Sequence, residues 1–165
     1  MADSIALQIV TPDGVRLNEE VLELTAPSVD GEFGVLPGHR PLLAALKTGI
    51  VSFRRREGAD RVAVGAGFVE VLEDRAVLLT QNFCRKVDVD PVRVRLDLKE
   101  ADEALDRYEG DLSAPEYVEL VAKELWAAAQ LELYGDPPPA TNRTVYEMGG
   151  SDVLVVPEAE PPAES

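Results

Sequence analysis

Residues 31–43 read Gly31-Glu32-Phe33-Gly34-Val35-Leu36-Pro37-Gly38-His39-Arg40-Pro41-Leu42-Leu43. This run contains three glycines, two prolines and the only histidine of the chain. Glycine reaches positive φ at no steric cost and proline fixes φ at about −65°, so residues of this kind impose turns. Strand-like apolar segments lie on either side of the run. The pattern therefore predicts a tightly specified loop between strands rather than a linker.

The composition of the 165-residue chain excludes several classes of protein. An apolar content of 45% is enough for a buried core, and the formal net charge is −15. The only short basic cluster is residues 54–56, so nucleic acid is an unexpected partner. A single cysteine, Cys84, and a single histidine leave neither an internal disulfide nor a plausible zinc site.

Neither end of the chain suggests a membrane or secretory segment. No apolar run approaches the roughly 18 residues that cross a bilayer. The N-terminus has no basic region leading into an apolar one, which argues against a secretory signal and, with no arginine-rich leader, favours a bacterial origin. The sequence predicts a protein of a reducing compartment.

Residues 1–87 predict an all-β sandwich or barrel. Short apolar runs alternate with turn signals at a spacing of about 8–12 residues, which is typical of such folds. The predicted strands are 5–11, 21–26, 49–55, 61–64, 68–72 and 75–80. This domain is nearly neutral, with 10 basic and 12 acidic residues.

Residues 88–134 predict an antiparallel helical hairpin. Asp90 is suited to cap the first helix and Pro91 to begin it, and Ser113 with Glu116 has the spacing of a capping box before the second. One apolar face of each helix is expected to be buried. The first comprises Val94, Leu98, Ala101, Leu105 and Tyr108, and the second Val118, Val121, Ala122, Leu125, Ala128 and Ala129.

The C-terminal part is acidic. Residues 88–134 contain 5 basic and 13 acidic side chains, and residues 135–165 contain 1 and 6. Residues 135–165 are also rich in proline and predict a disordered tail. Since an alanine-rich helix face buries little area, the hairpin could either stay folded as a stable appendage or open.

Three segments resemble the epsilon subunit of bacterial rotary (F-type) ATP synthases. Residues 31–43 are similar to the family's GElGilPGHapll signature, residues 46–51 to its LkpGvv segment, and residues 65–71 to its sGGFvEV strand. A β domain followed by a helical hairpin matches the family as well. The resemblance covers roughly residues 5–134.

This resemblance implies a non-catalytic rotor subunit of the proton-translocating synthase. The expected partners are the gamma subunit and the c-ring. If the helices extend, as they do in many bacteria to block ATP hydrolysis, the alpha/beta head is a further partner. Glu32 and His39 occupy loop positions that face the c-ring in related proteins. The expected location is the cytoplasmic face of the bacterial inner membrane, as a peripheral subunit.

His39 and Asp90 are the residues that could bind or react. His39 could be a general base, a structural loop residue or a partner contact, but no nucleophile or paired acid accompanies it. Asp90 could cap a helix, bind a ligand or do both. The chain is accordingly not expected to be an enzyme.

The resemblance also implies possible nucleotide contacts, since some relatives bind ATP. Asp90 and Arg93 match a motif of those relatives, which continues in the second helix with two arginines. This chain has Trp126 and Gln130 at those two positions, in a strongly acidic hairpin where phosphate would be repelled. The sequence therefore predicts no cofactor, and a nucleotide-responsive sensor on the same scaffold is the alternative function.

Overall fold

The computed structural model describes residues 3–139. These residues form ten strands, a short 3₁₀ turn and two helices. The strands are β1 (Ile5–Thr11), β2 (Gly14–Val21), β3 (Glu23–Ser28), β4 (Gly31–Val35), β5 (Leu42–Leu46), β6 (Gly49–Arg55), β7 (Gly58–Val64), β8 (Gly67–Leu72), β9 (Arg75–Thr80) and β10 (Phe83–Arg85). The 3₁₀ turn is Lys86–Asp88, and the helices are α1 (Pro91–Asp106) and α2 (Pro115–Tyr134).

The strands form one sheet that folds over on itself into a β-sandwich. Its order is β10-β7-β6-β3-β5-β8-β9-β1-β2, and β4 pairs with β3 outside this path. Strand β3 joins the two layers, because it pairs with β4 and β6 along its length and with β5 only at Ser28 and Leu46. Strand β1 pairs with β9 in parallel, whereas the other pairs are antiparallel.

Alternating burial places the apolar core between the two layers. In β1 every second residue is buried, from Ile5 to Thr11, as expected for a strand with one face inside. The remaining strands supply the same kind of side chain to one cluster. Its largest fully buried members include Ile5, Leu7, Ile9, Leu24, Leu46, Leu78, Val51 and Val69. The predicted all-β sandwich is confirmed.

Four of the ten strands, β2, β4, β5 and β10, were not predicted from the sequence. Two of them, β4 and β5, alter the interpretation of residues 31–43. This segment is not a single loop, since it begins as β4 and ends in β5, and only residues 36–41 connect them. Strand β4 contains two glycines and buries only Val35, so it lacks a burial alternation. Strand β2 is mostly polar and β10 has only three residues, so their sequences carry weak strand signals.

The N-terminus of α1 is as the sequence predicts. Asp90 is the N-cap, and its Oδ1 accepts a hydrogen bond from the backbone N–H of Arg93 at 3.1 Å. Pro91 occupies the first turn, where its missing N–H leaves no intrahelical bond unmade. Val94, Ala101 and Leu105 are buried on the expected face. The predicted two-helix arrangement is therefore present.

The start and the buried face of α2 differ from the prediction. Ala114, not Ser113, is the N-cap, and its methyl group cannot make a side-chain cap bond; the hydroxyl of Ser113 donates to Asp111 at 2.7 Å. The buried face of α2 is rotated relative to the predicted one, so that Ala122 is exposed. The residues of α2 that are buried are Tyr117, Val121, Glu124, Ala127, Ala129, Leu131 and Leu133. In the second half of α2 every second residue from Ala127 to Leu133 is buried, because this part of the helix contacts both α1 and the sandwich, so the prediction of a single apolar face was wrong there.

The C-terminal half of the hairpin packs on the outer surface of the sandwich. In β7 three consecutive residues, Val62, Ala63 and Val64, are buried, so the usual alternation is lost. Ala63 faces away from the sandwich core and belongs to a second apolar cluster. That cluster also contains Cys84, Val89, Val94, Ala127, Ala129, Leu131 and Leu133. A third cluster, around Leu105, Tyr117 and Val121, lies within the hairpin alone.

The tightest backbone contact of the sheet gives a stability prediction. A Cβ on Gly67 would overlap the backbone carbonyl of Leu79 on the neighbouring strand. We expect Gly67→Ala to force β8 and β9 apart and to lower the free energy of unfolding by about 2 kcal/mol or more. Urea denaturation followed by circular dichroism measures this difference.

Gly34→Ala is the matched control for Gly67→Ala. Its Cβ would meet only the carbonyl oxygen of Leu24, at an ordinary 3.9 Å. We expect this variant to stay within about 0.5 kcal/mol of the wild type, in line with surface changes elsewhere in proteins. Equal denaturation midpoints for the two variants would contradict the close approach of β8 and β9.

Candidate functional site

Residues 36–41 form a short loop whose shape is fixed by backbone hydrogen bonds. The N–H of His39 donates to the carbonyl of Leu36 at 3.1 Å, which closes a turn around Pro37 and Gly38. Gly38 has a φ of 82°, a conformation that favours glycine. The glycine and proline of this loop thus serve the turn that the sequence predicts.

Asp74 anchors this loop to the sandwich. Its Oδ1 accepts a hydrogen bond from the N–H of Gly38 at 2.5 Å, and its carbonyl accepts one from the N–H of Ala6 at 2.9 Å. Asp74 and Glu73 form the β8–β9 turn with positive φ values of 59° and 49°. The sequence identifies this turn but not the contact, because nothing local links residue 74 to residue 38.

The structure does not bring Glu32 and His39 into one cluster. Glu32 is exposed near the start of β4, opposite Pro27, whereas His39 lies beyond the other end of that strand. At about 3.3 Å per residue, the remainder of β4 alone separates them by about 10 Å. They therefore form two contact points along one edge rather than a joint site.

The imidazole of His39 is held by its own loop. Its Nδ1–H donates to the carbonyl of Arg40 at 2.7 Å, which fixes the proton on Nδ1 because a carbonyl can only accept. In the Ser–His–Asp arrangement this nitrogen faces a carboxylate that stabilises the imidazolium. A neutral carbonyl is a weaker partner for that charge, so this geometry favours a positioned loop residue over a general base.

One face of the sandwich is apolar and exposed, and we call it the apolar sheet face. Its members come from the outer sides of neighbouring strands. Phe68, Leu79, Val10 and Val15 lie in one row across β8, β9, β1 and β2, because each is the pairing partner of the next. Leu43 and Leu72 flank the row, with exposures of 73% and 48%.

A surface of this kind is informative because monomers rarely leave large apolar patches open. Phe68 is 59% exposed and Leu79 is 52% exposed, although β8 and β9 already bury their other faces. Glu73 and Arg75 lie at one end of this face, whereas Glu70 lies within it, between its pairing partners Leu43 and Val77. The sequence of β9 indicates this face, because apolar residues occupy both the inward-facing and the outward-facing positions of that strand.

The side chains of Asp90 and Arg93 are each engaged within α1. Asp90 caps the helix, and the Nε of Arg93 lies 3.1 Å from Oδ1 of Asp97. A groove between the two helices is lined by Asp97, Glu100, Lys123, Trp126 and Gln130, among others. Lys123 pairs with Glu119 at 3.1 Å, so its charge is already balanced. The acidic residues that line the groove would repel phosphate, and nucleotide contacts by Asp90 and Arg93 stay a prediction.

The single cysteine is unsuited to nucleophilic chemistry. Burial raises the pKa of the Cys84 thiol, and the negative charge of Asp88 raises it further, while Arg16 acts in the opposite direction. A thiol with a raised pKa stays protonated near neutral pH and is a weak nucleophile. In residues 3–139 no three His, Cys, Asp or Glu side chains are grouped as metal ligands.

Known proteins resemble this chain in sequence and in fold. The model of the ATP synthase delta/epsilon chain β-sandwich domain matches residues 4–86. An ATP synthase epsilon chain of Desulfatibacillum aliphaticivorans is 41% identical over 110 residues, which cover 66% of this chain and 78% of that protein. One from Carboxydothermus hydrogenoformans is 38% identical over 107 residues, covering 65% of this chain and 80% of the relative.

A solved structure shares the fold at lower sequence identity. It is a chain of the OSCP/F1/c-ring part of the Euglena gracilis mitochondrial ATP synthase, with a TM-score of 0.60 and 22% identity, and the match covers 82% of this chain and 80% of that one. The family model spans half of the chain and the bacterial relatives align along most of their length. This chain therefore belongs to the ATP synthase delta/epsilon family.

Proposed function

We propose that this chain is the non-catalytic epsilon subunit in the central stalk of a proton-translocating ATP synthase. Its role is to couple rotation of the c-ring to the gamma shaft and so to ATP synthesis. The observation that carries this proposal is that a member of this family has a row of exposed apolar side chains across four neighbouring strands. Such a face suits permanent attachment to a partner rather than catalysis.

The gamma subunit is the partner proposed for the apolar sheet face. Stable attachment requires an apolar area beside polar groups that can pair with the partner, and this face offers the apolar row with Glu70, Glu73 and Arg75 next to it. Phe68 is the natural anchor, because a large exposed aromatic ring between Ala45 and Leu79 can be fully desolvated by a partner. The strands beneath are hydrogen-bonded on both sides, so the face is rigid enough to transmit torque.

The c-ring is the partner proposed for the edge that contains Glu32 and His39. This assignment rests on the resemblance of residues 31–43 to the family's signature. The anchoring of Gly38 by Asp74 supports it, since a loop that transmits force must not yield when its partner moves. In this role His39 is a partner contact whose ring is pre-oriented by the carbonyl of Arg40.

The helical hairpin is proposed to stay packed on the sandwich rather than to act as a brake on ATP hydrolysis. Opening would expose Ala63, Cys84 and the facing leucines of α2, and that apolar cluster resists it. Charge also favours the packed hairpin. In relatives the extended helix contacts acidic segments of the catalytic head, and the acidic helices of this chain would be repelled by them. The same charge disfavours ATP as a ligand.

A peripheral position is part of this proposal. No helix among residues 3–139 is long and apolar enough to span a bilayer. Attachment through gamma and the c-ring would hold the chain at the cytoplasmic face of the bacterial inner membrane. The partner subunits, and not this chain, would then provide the contact with lipid.

The first test addresses the apolar sheet face. We expect Leu43→Ser with Phe68→Ser to weaken binding to purified gamma subunit at least tenfold, about 1.4 kcal/mol, because both side chains would be desolvated there. Val92→Ser with Leu96→Ser on α1 removes exposed apolar residues from another surface and should leave the affinity unchanged. Calorimetric titration measures both, and equal affinities would refute the assignment.

The second test addresses the loop edge. We expect Glu32→Gln with His39→Ala to leave assembly and ATP hydrolysis intact but to reduce ATP-driven proton pumping at least about threefold, since rim contacts set register more than stability. Pumping is read from a pH-sensitive dye in sealed vesicles. The control Glu57→Gln changes an exposed carboxylate in the β6–β7 turn. Full pumping by the double variant would remove these residues from the coupling surface.

The third test addresses the hairpin. We compare ATP hydrolysis by the assembled synthase carrying the full chain, a chain ending at Pro139 and a chain ending at Val87. For a hairpin that stays packed, the three rates should agree within about 1.5-fold, a small change in barrier. A severalfold rise on removal of α1 and α2 alone would mean that the hairpin is a brake. A rise already at Pro139 would assign that effect to the tail.

A further inference from the structure

A cluster of cations surrounds one aromatic ring where the sandwich meets the hairpin. The guanidinium of Arg16 lies 5.7 Å from the centroid of the Phe83 ring, and that of Arg85 lies 5.6 Å from it. Arg85 Nη2 also donates to the carbonyl of Arg16 at 3.1 Å. Lys86 and Val87 follow in the chain. We call Arg16, Phe83, Arg85, Lys86 and Val87 the basic surface.

The cations of this surface are not paired with carboxylates; among residues 3–139 the same holds for Arg40, Arg56, Arg75 and Arg107, but several arginines are paired. Arg54, Arg55 and Arg95 each lie within salt-bridge distance of a carboxylate. Within residues 3–139 no salt bridge involves Arg16, Arg85 or Lys86; the acids in this region are Asp88, in the 3₁₀ turn, and Asp90, whose carboxylate caps α1. A net positive patch of this kind on a chain of charge −15 indicates an anionic occupant.

The surface also has an apolar component. The side chain of Val87 is 88% exposed, more than any other large apolar side chain in the described part of the chain. The Phe83 ring is half-buried, packs partly against the core, and has two guanidinium groups within 5.7 Å of its centroid. A ligand that fits must therefore combine negative charge with an apolar segment.

We propose that the basic surface binds the C-terminal segment of this same chain, around residues 152–160. That segment reads Asp152-Val153-Leu154-Val155-Val156-Pro157-Glu158-Ala159-Glu160, an apolar stretch with carboxylates on both sides. Residues 140–165 as a whole contain five acidic residues and one basic residue. The carboxylates match the cations, and the valines and leucine match Val87 and the Phe83 ring.

The point at which the described chain ends puts this segment within reach. Asp136, just after α2, accepts two hydrogen bonds from the guanidinium of Arg95, at 2.7 and 2.9 Å. Arg95 is one turn into α1, which begins five residues after Lys86. Helix rise, chain length and side-chain reach together place Asp136 within roughly 35 Å of Lys86. The sixteen residues from Asp136 to Asp152 can span up to about 53 Å.

Tethering makes even a weak contact significant. A short connection gives an effective concentration in the millimolar range, so a contact of millimolar affinity is well populated. Binding would attach the end of α2 to the sandwich a second time, on top of the apolar cluster around Ala63. It is a property of the isolated chain and requires no partner subunit.

The test uses the full chain with a nitroxide spin label. Cys84→Ala removes the native thiol, and Ala159→Cys carries the label. We expect amide signals of residues 16 and 85–87 to lose at least half of their intensity through paramagnetic relaxation. At 0.5 M NaCl, where the Debye length is a few ångströms, the intensity should return. The same recovery is expected with Arg16→Gln and Lys86→Gln.

A charge-matched control separates local binding from general attraction. Arg56→Gln with Arg107→Gln also removes two exposed cations, at the β6–β7 turn and after α1, and should leave the signal loss in place. Full intensity at residues 85–87 would overturn the proposal. So would signal loss centred on the apolar sheet face, or loss that persists at high salt and in the Arg16/Lys86 variant.

Discussion

The outward-facing side chain of Ala63 sets the position of the whole hairpin. A strand residue on the outer layer would ordinarily meet solvent, but the methyl group of Ala63 lets α2 come close. Ala127 and Ala129 are equally small on the helix side, so the two backbones approach across a thin apolar layer. Leu131 and Leu133 then supply the buried area that alanines lack. The direction in which the chain leaves α2 follows from this contact.

The sandwich presents different chemistry on different sides. The apolar sheet face lies on one layer, the loop edge with Glu32 and His39 extends from β4, and the helices cover β6 and β7 on the other layer. A small domain can therefore contact several partners at once without any of them competing. Such an arrangement suits a connecting part of a machine.

Much of the fold could be read from the sequence, and the failures have physical causes. The strands with clear alternation, the cap at Asp90 and the two helices follow from local patterns. Strand β4 could not be predicted from local patterns, because its glycines and Glu32 show no alternation of buried and exposed residues. It is a strand because it pairs with β3. The shifted face of α2 depends on Ala63, which is distant in sequence.

The candidate site was less accessible to sequence reasoning than the fold. His39 and Glu32 stand out by residue type and by resemblance, whereas Asp74 gains its role only because folding brings a turn beside Gly38. The apolar sheet face depends on pairing register across β8, β9, β1 and β2, which no single strand reveals. Local sequence predicts helices and strands well. It predicts the surfaces that several strands form together much less well.

The parallel pairing of β1 with β9 has a consequence for how the chain folds. Strand β1 can form a hairpin with β2 early, but its other side pairs with β9, where Ala6 is opposite Arg75, and that side has no partner until most of the sandwich has been synthesised. Contacts between such distant residues are slow to form, because the loop that joins them must close first. The contacts between α1 and α2, by contrast, join segments that are near in sequence. We therefore expect the β9-facing side of β1 to remain an open strand edge through most of the synthesis of the sandwich, which makes it a site where chaperones protect the nascent chain.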